Sequence, residues 1–154
     1  MPDLDHGPST IVGRMLVAIT QRDNDGFKLW RTAMNEDEEA QSLLYPLLYE
    51  AFRLAVVRRF GPDVNAAELS TFLWTPRIFM WPKSGFDVHK AGALIRSALG
   101  EDVPVEDIPT EDVVMTRYQV LTYIVEDLGL SPSEICQLVV EAEEWVLENK
   151  IEQG

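Results

Sequence analysis

The sequence predicts an all-α protein: six to seven helices in a compact, orthogonal or bundle-like array that ends in a tight C-terminal helical hairpin. Three observations carry this. Apolar residues recur at helical spacing in successive segments, and most segments are bounded by a capping residue, Gly or Pro. No stretch alternates polar and apolar residues for long enough to make a good strand. Finally, the stretch from Val125 to Ile135 holds a helix end and a helix start with almost no loop between them.

That stretch is the most explicit. Gly129 has no Cβ to clash, so it can close a helix in the left-handed conformation, with Leu130 free to touch Val125 across a Schellman ending. Ser131 is a good N-cap, and Pro132 at the first helical position loses nothing by lacking an N–H. Glu134 completes a capping box, and Leu130 faces Ile135 as a hydrophobic staple.

The remaining elements follow in order. Residues 1–8 read as a flexible arm, 9–149 as a single all-helical domain and 150–154 as a frayed end. Ser9 or Thr10 caps a first helix that runs to about Gln21, with Ile11, Met15, Ala18 and Ile19 on one face. Arg22 to Gly26 breaks it, and residues 27–34 form a short second helix. Asn35 caps a third, whose acidic first turn suits the helix dipole. It runs toward Phe60 with a kink or break at Pro46, and stops at Gly61-Pro62. Asn65 and Glu68 form a variant capping box for a fourth helix, which Pro76 ends at about Thr75. Residues 77–81 lie between two prolines and fit an extended stretch or one helical turn. Asp87 caps a fifth helix through Leu99, closed by Gly100. Residues 101–109 form an acidic loop. Thr110 caps a long sixth helix, with the seam Val114, Tyr118, Leu121, Val125 and Leu128. The seventh answers with Ile135, Leu138, Val139, Ala142 and Trp145.

At 154 residues, one domain is the default size and supports a sizeable core. The lone Cys136 excludes an internal disulfide. No apolar run approaches the roughly 20 residues of a membrane span, and the acidic N-terminus lacks a signal-peptide start. Together these point to a cytoplasmic protein. The net charge of −13 excludes general nucleic-acid binding and attraction to an anionic membrane, both of which depend on Lys and Arg. The charge is unevenly placed. Residues 51–97 carry 7 basic and 3 acidic side chains, whereas residues 98–154 carry 2 basic and 14 acidic ones.

Several segments invite chemistry. Asp23-Asn24-Asp25-Gly26 resembles part of a calcium loop, but with Gly26 sixth the loop begins at Gln21 and ends at Thr32, where carboxylates belong. It reads as a turn. Glu141, Glu144 and Glu148 form an acidic face on the last helix, yet no Glu-x-x-His accompanies them, so a solvated or partner-facing surface is expected and no metal site. Cys136 has no signature linking it to a histidine, and reads as a small buried or half-buried thiol. The Leu130–Ile135 stretch shares capping chemistry with DNA-reading helix-turn-helix units, but its second helix presents glutamates to any base edge. The segment 74–96 holds Trp74, Arg77, Trp81, Lys83, His89 and Lys90, residue types suited to a ligand or partner site. His89 and Lys90 in a helical first turn also suit an anion. No nucleotide loop, zinc site or catalytic triad appears, so no catalytic residue and no cofactor is assigned.

The leading expectation is a non-enzymatic, acidic helical protein-binding protein, of adaptor, inhibitor or immunity type, that engages a basic partner. One alternative is a small-molecule-binding or enzymatic helical domain with a pocket near residues 74–90. Another is a self-associating structural protein, a homo-oligomer that packs a helix across a two-fold axis.

Overall fold

The structure is a computed structural model that describes residues 7–61, 65–74 and 87–153, the last four as backbone. All regular secondary structure among these residues is helical: α1 (Ile11–Thr20), α2 (Asn24–Asn35), α3 (Glu38–Phe60), α4 (Ala66–Leu73), α5 (Val88–Ala98), α6 (Thr110–Leu128) and α7 (Pro132–Gln153). The expected all-α class is the one observed. Most of the expected arm, residues 77–81, and Arg77, Trp81 and Lys83 lie outside the described residues.

The chain divides into two compact units, residues 1–51 with 129–154, and residues 52–128. In the first, α1 packs on α2 and on α7. Thr10 caps α1, its hydroxyl accepting from Gly13 N. The break expected at residues 22–26 is narrower than that span. Arg22 takes positive φ, and Asp23 then caps α2 by accepting from Gly26 N, so the Asp-Asn-Asp-Gly motif is a helix start. The cap of α3 is also displaced. Asn35 is the last residue of α2, and Asp37 Oδ1 accepts from Glu39 N and Ala40 N instead. Asp37 serves because its carboxylate reaches two orphan donors of the first turn at once.

α3 runs through Pro46 without a break. Pro46 has no N–H to give the carbonyl of Ser42, but Ser42, Tyr45 and Pro46 are all exposed, so the loss falls on the outer side of the helix, where solvent can offset it. Leu47 and Leu48, fully buried beside it, hold the helical course.

α7 begins as the sequence implies. Ser131 N donates to Glu134 Oε1 at 3.0 Å and Glu134 N to Ser131 Oγ at 3.2 Å, a reciprocal capping box. Gly129 just before it has φ +64, with nothing within 4 Å of where a Cβ would stand. Crowding is therefore no obstacle there, and only backbone conformation selects glycine. Gly129→Val is expected to lower stability by about 1–2 kcal/mol, the cost of left-handed φ for a residue with a Cβ. Chemical denaturation checks this, and an unchanged midpoint contradicts it. α7 continues to Gln153, past the fray expected from residue 150.

In the second unit, Asn65 and Asp87 cap α4 and α5 as expected, and Gly100 ends α5 with φ +93. Thr110 is the first residue of α6 rather than its cap, because Val113 N bonds to Pro109 O. The larger difference is burial. Every residue from Thr116 to Val125 is buried, so α6 is a helix surrounded on all sides, not one with a single apolar seam. Thr122 Oγ1 donates to Tyr118 O at 2.9 Å, and the Arg117 guanidinium lies 5.8 Å from the Phe52 ring centre. No described helix is long and apolar enough to cross a membrane.

Candidate functional surfaces

The expected anion site at the start of α5 is already satisfied from within. Asp87 Oδ1 accepts from His89 N at 2.8 Å and Lys90 N at 3.3 Å, taking the free helix donors. Lys90 Nζ in turn pairs with Asp112 at 3.0 Å. The charge separation suggested by the sequence is reduced in the same way. Arg59 of the basic segment bridges Glu68 and Asp127, and Arg96 pairs with Glu101 at 3.3 Å. Burial works against the charge on Arg59, but the hydrogen bonds it donates to Glu68 and Asp127 outweigh that and raise its pKa above the ordinary arginine value. Three basic residues of 51–97 are thus held by acids of 98–154, and the picture of two opposed, unpaired charge regions gives way to local pairing.

Of the aromatic and basic candidates, Trp74 and His89 come together. Trp74 is 57% exposed at the end of α4. It shares with His89 and Arg96 an open cleft of about 350 Å³ between α4 and α5. Leu69, Leu73 and Val88 supply its apolar wall, and Gly92 keeps its floor low.

The acidic candidates are placed by α7. Ile135, Leu138, Val139, Ala142 and Val146 face inward, as the helical period requires. Glu141, Glu144 and Glu148 fall on the opposite side and are exposed. Among the described residues they have no ion-pair partner. Trp145, expected in the core stripe, instead stands 50% exposed in this face. It is four residues after Glu141 and three before Glu148, so both carboxylates neighbour its ring on the helix surface. Along the edge of this face, Leu147 helps to line a groove of about 210 Å³ with Ile11, Ala40 and Leu43, and Asp37 and Glu39 border it.

Glu143 departs from the other glutamates. It is buried, and its carboxylate accepts from Ser9 N at 3.1 Å, from Thr10 N at 2.9 Å and from the Thr10 hydroxyl. It ties the entrance of α1 to α7. The sequence carried a weak signal for this: Glu143 lies four residues after Val139 and three before Val146, at the edge of the inward face.

Among the described residues no cluster of three or more His, Cys, Asp or Glu side chains is arranged to hold a metal ion. No protein-family model, curated protein or solved structure matches the chain.

Proposed function

We propose that the protein is a protein-binding module whose docking face is the outer side of α7, and that its partner presents a basic segment with an apolar anchor. The observation that carries this is Trp145, half exposed among three exposed carboxylates that lack ion-pair partners among the described residues. Leaving an indole in water forfeits the gain from burying it, and Trp is prominent among the side chains that dominate binding energy. Glu141, Glu144 and Glu148 add attraction and selectivity for Lys and Arg, chiefly through the rate of encounter. The adjoining Leu147 groove offers an apolar slot under an acidic border.

The test is parallel capture from the native cell on immobilised wild type, Trp145→Ser, and the triple variant E141Q/E144Q/E148Q. These are surface changes, so all three proteins are expected to melt within a few degrees of one another. One retained protein is expected on the wild type, at least tenfold depleted on both variants and released by salt. Equal recovery on all three overturns the proposal.

The α4–α5 cleft favours a second reading, as a small-molecule-binding domain. Its volume falls at the small end of the range for ligand sites, about 300–1,000 Å³, and Trp74, His89 and Arg96 supply converging polar and aromatic groups. It ranks behind because Arg96 is already paired and the cleft is wide open to solvent.

A further inference from the structure

A further cavity, of about 220 Å³, lies in the first unit and uses none of these residues. Its floor is the α1 stripe Arg14, Val17, Ala18 and Gln21, spaced as one helix face. Asp23, Trp30 and Cys136 close its sides.

The Arg14 guanidinium is held on two sides. Its Nε donates to Pro8 O at 3.0 Å, and its centre lies 5.1 Å from the Trp30 ring centre. Neither terminal nitrogen has an acceptor among the described residues. A planar fork fixed in this way is arranged for a carboxylate, because little side-chain freedom remains to be lost on binding. Asp23 supplies a charge of the opposite sign. Its Oδ1 accepts from Gly26 N in capping α2, which orients the carboxylate and leaves its charge in place. Gln21 is two turns from Arg14, roughly 10 Å along the axis, so the positive and negative groups come from opposite ends of the α1 stripe. Val17 and Ala18 lie between them along α1, and the Trp30 ring stands beside Arg14.

We infer that this cavity binds a small zwitterion, with its carboxylate on Arg14, its ammonium on Asp23 and its methylenes along Val17 and Trp30. A lone anion meets repulsion from Asp23 and a lone cation from Arg14, so the pair of charges selects against both. The separation along α1 favours charges several bonds apart over those of glycine.

The probes are 6-aminohexanoate, 4-aminobutanoate and glycine, with acetate and propylamine as single-charge controls. Binding is read from the indole N–H resonance of Trp30, assigned with Trp30→Phe. It is read independently from the alkylation rate of Cys136 by iodoacetamide, which is simple to follow because the chain has 1 cysteine. The two longer zwitterions are expected to shift the Trp30 signal saturably and to slow alkylation, with acetate and propylamine at least tenfold weaker. Asp23→Asn keeps a capping side chain and is expected to weaken binding at least tenfold, as is Arg14→Met. If Arg14→Met fails to fold, Arg14→Lys, which loses the fork but keeps the charge, replaces it. Absence of any saturable shift, equal binding of acetate, or unchanged affinity in Asp23→Asn overturns the inference.

Discussion

Replacing Glu143 by Ala is expected to lower stability by about 3 kcal/mol, a fall of roughly 6–12 °C in Tm for a chain of this size. Glu143 is 4% exposed, and its carboxylate takes three donors from residues 9 and 10. Hydrogen bonds to a charged acceptor contribute about 1.5–3 kcal/mol each, and three on one group are not additive. Removing the carboxylate also strips two backbone N–H groups of their acceptor just where α1 begins. Glu143→Gln is the informative comparison. It keeps one carbonyl acceptor but turns the other oxygen into a donor, so it recovers only part of the loss. Thermal melts of both variants check the order. A Glu143→Ala midpoint equal to wild type would show that the entrance of α1 stands without this tie.

Gly13→Ala is expected to destabilise by about 2 kcal/mol, against the usual sign. In an exposed helix interior the change gains nearly 1 kcal/mol. Here a Cβ at residue 13 comes 2.7 Å from Pro8 Cβ and 2.9 Å from Thr10 Oγ1, and closer still to Glu143 Oε2. Pro8 is a ring that cannot turn aside, and Glu143 is pinned by the bonds it accepts, so the strain of overpacking outweighs the helical gain. The two substitutions share one site and couple. In the Glu143→Ala background the cost of Gly13→Ala is expected to shrink by at least about 0.5 kcal/mol. A stabilised Gly13→Ala protein contradicts the close packing described.

These two residues also mark how far the sequence can be read. Caps were legible at Thr10, Asn65, Asp87 and Ser131, because a side-chain acceptor before a helical stripe satisfies local donors and needs nothing distant. Asp37 was missed for Asn35 because both are capping types, and the choice depends on where α2 stops. At Pro46 the break did not occur: a local rule against proline yields where the proline is exposed and the leucines that follow it are buried. The enclosure of α6 was not legible. Thr116, Gln119 and Thr122 look like a polar face, and only the surroundings reveal them as buried.

The candidate surfaces follow the same division. Glu141, Glu144 and Glu148 were legible as an outward face because charge and period agree. Glu143 is by composition one more acid of the same helix, and its place at the edge of the apolar stripe leaves its burial to be decided by residues 9 and 10. Trp145 was assigned to the core because an aromatic beside an apolar stripe usually belongs there; it lies at the edge of that stripe, three residues after Ala142, and only the surroundings leave it half exposed. Lys90 and Arg96 were legible as cations but not as paired ones: Asp112 reaches Lys90 through the fold, and Glu101 reaches Arg96 because Gly100 turns the chain back at the end of α5.

The claim that the α7 face carries charge left uncompensated for a partner is tested most directly by salt. Thermal midpoints of the wild type and of E141Q/E144Q/E148Q are compared from about 20 to about 300 mM sodium chloride, where the screening length falls from roughly 20 to roughly 6 Å. Screening weakens the pairs at Arg59, Lys90 and Arg96, which lowers the midpoint, and relieves repulsion among the acids, which raises it. With a net charge of −13 the second effect is expected to win. The wild-type midpoint should rise by a few degrees, while the triple variant should start higher and rise less. A wild-type midpoint that stays flat or falls, or a triple variant with the same slope, would contradict the account.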